Sequence, residues 1–282
     1  MAHHNRKFSD ETEKIIANKY ADGESVANLT KEFDCSRNTV YRALKRNNIE
    51  TRSNKINSRK YEYDRNYFSN IDSPDKAYWL GFIYADGYLS KSKYRIGFGV
   101  SLAVEDKQHL EKLKESMSAT YEVKEYSNYD SGYSNNGYCR LEIYGEDIYN
   151  QLLSHGVLPK KTDILEAPNI EEELIPHFIR GYIDGDGSIY SSLRNENTNY
   201  HEYAVKVTGT PDILDYIKEY IESNEVATIN KYYQRKEGNN AYNLQLFGNN
   251  QVLNFLSLIY KDAKLYLDRK YEKYQELVEY KN

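Results

Sequence analysis

Cysteine is nearly absent from this sequence. Cys35 and Cys139 are the two among 282 residues, too few for a disulfide framework or a cysteine-rich zinc site. No apolar run approaches the roughly 20 residues needed to span a bilayer. The opening stretch, Met1-Ala2-His3-His4-Asn5-Arg6-Lys7, has no apolar core of a secretory signal. An intracellular protein with no membrane partner is therefore expected, in the cytoplasm of a bacterial or phage-infected cell or in an organelle matrix. The histidines, His3, His4, His109, His155, His177 and His201, form no HExxH or paired zinc-ligand spacing. No GxSxG and no P-loop occurs either, so proteolysis, nucleotide hydrolysis and zinc-assisted chemistry lose support. Positive charge is also short. The net value is −5, whereas nucleic-acid binders are usually basic.

The charge is uneven, however. Residues 1–60 hold 13 Lys and Arg against 8 Asp and Glu, an excess of five positive charges that leaves ten negative on the remainder. A basic head on an acidic body fits contact between the head and a polyanion. The body then needs a locally basic face, or bound cations, to approach phosphate. Tyrosine is abundant, 30 residues. For any one of them an AT-rich coding bias is a better account than stacking or phosphate contact.

The head, residues 1–49, reads as three short helices. Ser9 caps the first, with acids in its first turn and Ile15, Ile16 and Tyr20 as its apolar stripe. The second runs from Ser25 to Phe33 on Val26, Leu29 and Phe33. Asp34 and Cys35 make a tight turn, and Ser36 caps a third helix, Arg37 to Asn47, whose Val40 and Leu44 face inward. Residues 8–48 resemble a helix-turn-helix of the resolvase type. The family favours Ala at Thr30 and often Gly at Asp34, but Asp tolerates the left-handed conformation that the turn requires. The resemblance implies DNA contact through Arg37, Asn38, Thr39 and Arg42 on the exposed face of the third helix. Residues 50–70 read as a basic linker in which Lys55 and Arg59 suit a DNA groove, although an ordinary solvated linker would look the same.

The strongest signal is a repeat at an offset of 100 residues. Gly81-Phe82-Ile83-Tyr84-Ala85-Asp86-Gly87 matches Gly181-Tyr182-Ile183-Asp184-Gly185-Asp186-Gly187. Each follows a helical stretch, Pro74–Leu80 and Ile175–Arg180, and leads into alternating sequence. Ile96, Phe98, Val100 and Leu102 alternate with Arg95, Gly97, Gly99 and Ser101; Tyr203, Val205 and Val207 alternate with Ala204, Lys206 and Thr208. These are strands with one buried face. A helix follows in each half (Glu105–Met117, Pro211–Ser223). Two strands around a polar hairpin come next, ending at Gly145 and Gly248, and a last helix closes each half (Asp147–His155, Gln251–Tyr260). Each repeat, 71–165 and 166–282, thus reads α-β-β-α-β-β-α.

Gly81 and Ala85, like Gly181 and Gly185, lie four apart on one helix face, where small residues let two backbones approach. Asp86 and Asp186 fall at the helix C-termini, with Gly87 and Gly187 where left-handed glycine is favoured. A carboxylate there opposes the helix dipole at a cost of roughly 0.3–1 kcal/mol. Two such ends brought together repel, and a hard divalent cation, which takes carboxylate and carbonyl oxygens, resolves the conflict. Asp86 and Asp186 with the backbone at Ala85 and Gly185 are the candidate metal site, for Mg²⁺ or Mn²⁺. One helix ending in Asp-Gly is usually only a helix stop; two in equivalent repeat positions are not.

Leu80-Gly81-Phe82-Ile83-Tyr84-Ala85-Asp86-Gly87 and Ile179-Arg180-Gly181-Tyr182-Ile183-Asp184-Gly185-Asp186-Gly187 resemble the two motifs of the LAGLIDADG homing endonucleases, over residues 71–282. The resemblance implies an α+β fold: a pseudo-twofold pair of αββαββα repeats, here preceded by the all-helical head. It implies site-specific hydrolysis of both strands of double-stranded DNA at a long asymmetric target. It also implies metal at Asp86 and Asp186 and a monomer that supplies both active-site halves. The earlier motif acid is Asp184 in the second copy and Tyr84 in the first, and Arg180 replaces a small apolar residue. A basic residue near each scissile phosphate is implied as well. In the first half it maps to Lys161 ahead of Lys160; in the second Lys264, Arg269 and Lys270 compete. The strand positions opposite the buried set would face DNA: Tyr138, Arg140, Glu142 and Tyr144, then Lys206, Thr208, Asn243 and Gln245. Excess acid would lie elsewhere, at Glu171–Glu173 and on the C-terminal helix. The alternatives are a catalytically silent DNA-binding regulator with this saddle and an intron-splicing maturase.

Overall fold

The computed structural model describes residues 7–51, 61–92, 95–127, 137–159, 164–195, 197, 200–229, 233–234 and 240–281. Lys55, Arg59, Lys160 and Lys161, named above as candidate site residues, lie outside them. The chain divides into two compact units, 1–61 and 62–282.

The first unit contains α1 (Asp10–Ala21), α2 (Val26–Glu32) and α3 (Arg37–Arg46). The side chains of Ser9, Ser25 and Ser36 accept from the backbone N–H of Thr12, Asn28 and Thr39, satisfying a free donor at each helix start. Asp34 is left-handed at φ 42°, as the turn requires. Ile16, Tyr20, Leu29, Val40 and Leu44 form the core. Ile15, expected in that core, is exposed. Its place is taken by Ala17 and by Glu13, which is buried against Arg46 in an ion pair. Arg37, Asn38 and Arg42 are exposed, while Thr39 is drawn in by its hydroxyl bond to Ser36.

The second unit begins earlier than the linker reading placed it. Residues 62–70 pack on it, because Tyr63, Tyr67 and Phe68 are buried. Tyr63 and Arg65 both bond to Asp147, and the Phe68 carbonyl lies 2.8 Å from His155 Nε2.

The first half then runs α4 (Pro74–Asp86), β1 (Gly87–Lys91), β2 (Ile96–Ala103), α5 (Lys107–Ser116), β3 (Lys124–Tyr126), β4 (Tyr138–Tyr144) and α6 (Glu146–Ser154). The second runs α7 (Ile175–Asp186), β5 (Gly187–Asn195), β6 (Tyr200–Gly209), α8 (Pro211–Ser223), β7 (Tyr233–Gln234), β8 (Tyr242–Phe247) and α9 (Asn249–Tyr260), followed by α10 (Asp268–Lys281). Each half forms one antiparallel sheet, in the orders β1-β2-β4-β3 and β5-β6-β8-β7. The αββαββα pair read from the repeat is the architecture observed.

Period-two alternation sets the two faces of each sheet. Phe98, Val100, Leu141 and Ile143 are buried on one side of the first sheet, and Val205, Val207, Leu244 and Leu246 on one side of the second. Tyr138, Arg140, Glu142 and Tyr144 alternate with the buried residues of β4; Lys206, Thr208, Asn243 and Gln245 do so on β6 and β8. Cross-strand pairing puts Lys206 opposite Gln245 and Thr208 opposite Asn243.

Candidate active site

The two motif helices, α4 and α7, meet at their glycines. A methyl group on Gly81 would collide with the Phe178 carbonyl, and one on Gly181 with the Tyr78 carbonyl. These reciprocal contacts respect the 100-residue offset, so the repeat in sequence is a twofold relation in space. Further along, a methyl on Gly185 would strike Ala85 and lie 3.3 Å from Asp86 Oδ2. The helices therefore converge where Asp86 and Asp186 end them, and both carboxylates act electrostatically on Tyr182 and Lys270 there. Asp86 is half-buried and Asp186 exposed.

Gly87 and Gly187 are not left-handed. Their φ values are −79° and −93°, with ψ at 160° and 166°. Each helix passes straight into a strand, and the glycine serves a different end. A Cβ at either position would clash with the carbonyl and side chain of Ile83 or Ile183, one turn back.

At the end of α7 lies an ammonium. Lys270, on α10, is buried, and its Nζ donates to the carbonyls of Ile183 at 2.6 Å, Asp184 at 2.6 Å and Gly187 at 2.7 Å. Three donors thus meet three acceptors at the negative end of the helix dipole. The Gly185 carbonyl is next, at 3.4 Å. Burial pushes the Lys270 pKa down to about 8, while Asp184 and then Asp86 and Asp186 hold it up. Of the three basic residues named for the second half, Lys270 is the one whose ammonium lies at this helix end. Arg269 turns away to Asp106, and Lys264 is exposed.

Asp184 is fully buried. It accepts from Tyr78 Oη at 2.8 Å, Tyr260 Oη at 2.6 Å and the Leu267 N–H at 2.8 Å. Burial raises its pKa, opposed by Lys270 and by these three donors. Tyr84, its counterpart, donates to the His155 carbonyl just past α6. Different chemistry does the same mechanical work, tying each motif helix to the end of the last helix of its own half. Arg180 has a related task. Its Nε donates to the Leu265 carbonyl at 2.8 Å and its Nη1 to that of Ile259 at 2.7 Å, serving free acceptors at and beyond the end of α9. The Tyr78, Tyr260 and Leu267 contacts to Asp184 escape a reading of the sequence. They join positions up to 106 residues apart, and no local pattern encodes them.

No family profile matches the chain, and no curated protein matches it. Solved structures do. The chain is similar to the LAGLIDADG homing endonuclease I-GzeII in complex with its DNA target, at 14% identity and a TM-score of 0.50, over 73% of this chain and 89% of that one. It is similar to a double mutant of I-SmaMI at 14% identity and a TM-score of 0.51, over 73% and 90%. Two αββαββα units joined through glycine-packed helices that end in paired aspartates define a class of protein fold. The particular fold is that of the LAGLIDADG homing endonucleases.

Proposed function

We propose that this chain is a site-specific endonuclease of the homing type, hydrolysing both strands of double-stranded DNA. The observation that carries the reading is the convergence of Asp86 and Asp186 at the ends of two helices in backbone contact. Nothing in fold stability calls for two carboxylates at the negative ends of adjacent helix dipoles.

Two carboxylates with the carbonyl oxygens of Ala85 and Gly185 are a hard-oxygen donor set that fits Mg²⁺ or Mn²⁺. Among the described residues no cluster of three or more His, Cys, Asp or Glu forms. Such a site leaves ligand positions for phosphate oxygens and water, the usual state of Mg²⁺. A divalent ion held there supplies Lewis acidity toward the phosphate and activates water. Lys270 fixes a positive charge at the same helix end, screening the aspartates from each other and from an incoming phosphate. Lys161, ahead of Lys160, is assigned in the first half as the basic residue that serves the scissile phosphate. The outward sheet faces, with Arg140, Lys206, Asn243 and Gln245, hold the duplex. The head adds Arg37, Asn38, Thr39 and Arg42 as a helix-turn-helix, and Lys55 and Arg59 follow as a basic arm. Similarity to I-GzeII, in complex with a DNA target, supports DNA as the partner. One chain carries both halves of the site, so a monomer suffices for a long asymmetric target.

Incubating the full-length protein with a randomised duplex library and Mg²⁺, then sequencing the cut ends, tests this. The expected result is double-strand cutting within one long, non-palindromic sequence, leaving short 3′ overhangs. Selective binding without cut ends in Mg²⁺ or Mn²⁺ would instead identify a DNA-binding regulator.

A further inference from the structure

One arginine on the outward face of the first sheet sits in a prepared setting. Arg140, on β4, has Ser101 of β2 and Lys124 of β3 directly opposite. Its Nε donates to Ser101 Oγ at 2.9 Å. Its guanidinium carbon lies 5.2, 5.5 and 5.9 Å from the ring centres of Tyr138, Tyr126 and Tyr88. Tyr126 and Tyr138 are stacked on each other, 4.8 Å apart and within 11° of parallel. Tyr88 lies across Gly99, where a side chain would displace it, and its hydroxyl donates to Glu142 Oε1 at 3.1 Å.

Three rings and a hydroxyl therefore direct the guanidinium before any ligand arrives. With Nε engaged, the two Nη nitrogens remain, and among the described residues neither has a hydrogen-bond partner. A phosphate also accepts a guanidinium fork, but contact with it turns mainly on charge and reach, which a lysine supplies as a point charge. A planar fork held by its stem in mid-sheet suits a planar target with two adjacent acceptors. The O6 and N7 atoms of guanine in the major groove are that target.

We infer that Arg140 reads a guanine in the part of the DNA target held by the first sheet, with Ser101, Tyr126 and Tyr138 as positioning residues for its guanidinium. The inference rests on the proposed DNA-binding function.

The test selects duplexes bound by the full-length protein from a randomised library, with Ca²⁺ in place of Mg²⁺. The wild-type pool fixes a guanine at one position, and Arg140→Ala loses that preference while the other positions keep theirs. On the selected site, changing that guanine to adenine weakens wild-type binding by about tenfold or more. Replacing it with 7-deazaguanine, which lacks the N7 acceptor, costs the wild type roughly threefold or more and leaves Arg140→Ala indifferent. Ser101→Ala gives an intermediate preference. The DNA substitutions need no altered protein, so a misfolded variant cannot mimic the result. An enriched wild-type sequence without such a guanine overturns the inference. So does an Arg140→Ala protein that binds every duplex less well by one factor, with a salt slope reduced by about one, since that marks a phosphate contact. A wild-type pool with no enriched sequence would overturn the DNA-binding function itself, and is recognised before any variant is made.

Discussion

His109 shows how a single residue is fixed by the chain of bonds around it. Its Nε2 is 2.9 Å from Tyr78 Oη, whose own proton goes to Asp184. Nε2 must therefore carry the imidazole proton, leaving Nδ1 as the bare acceptor. That atom is buried, without a partner among the described residues. Burial among Trp79, Phe82 and Tyr78, aided by the nearby Lys112, Lys270 and Arg269, pushes the His109 pKa down to about 3. An unfolded histidine titrates near 6.5, so between the two values the unfolded chain binds a proton that the folded one refuses. The stability from this group is complete above pH 6.5 and declines as the pH falls toward 3. Between pH 7.5 and 5.5 the loss is about 1.4 kcal/mol. Denaturant unfolding of wild type and His109→Gln at both pH values should show the wild type losing about that much more.

At the scale of elements, the decisive contact is helix on helix through glycine. Gly81→Ala or Gly181→Ala places a methyl group against a backbone carbonyl that cannot rotate away. Each should lower unfolding free energy by at least about 2 kcal/mol, read as a shift in denaturant midpoint. An unchanged midpoint would mean that α4 and α7 do not pack this closely. These helices, the strands and the closing helices are legible in the sequence. A repeat at constant offset brings its own confirmation, and period-two alternation names the apolar buried sets, although the small residues Gly97, Gly99 and Ala204 between them are buried as well. What is illegible is instructive. Lys270 stands among three candidates because nothing local says which basic residue of a terminal helix turns inward. The choice is made by carbonyls 83–87 residues earlier in the chain. Gly87 and Gly187 read as left-handed because Asp-Gly at a helix end commonly is. Here the next element is a strand that continues directly, and glycine answers to steric crowding by Ile83 and Ile183. Arg180, odd in a motif of small apolar residues, proves to be a cap for another helix.

Over the whole molecule, the distribution of charge matters more than its total. Glu171–Glu173 are exposed just before α7, while the outward strand residues are tyrosine, amide, hydroxyl, a few cations and one carboxylate, Glu142. A body with net negative charge can meet DNA through such a face if the head supplies much of the electrostatic attraction. Arg37 and Arg42 are exposed on α3. Replacing both with Ala should weaken binding to all sequences and flatten the log-affinity against log-salt slope by about two, one for each phosphate that an arginine neutralises. An unchanged slope would assign the head a task other than DNA binding.

The central claim is that Asp86 and Asp186 form one metal-dependent site, each serving cleavage and neither needed for binding. It is tested most directly by making Asp86→Asn and Asp186→Asn separately. Cleavage of the selected target in Mg²⁺ and binding in Ca²⁺ are then measured on the same preparations. The account predicts that either change abolishes double-strand cutting while affinity stays within about tenfold, or about 1.4 kcal/mol. Near-normal double-strand cutting by either variant would contradict it.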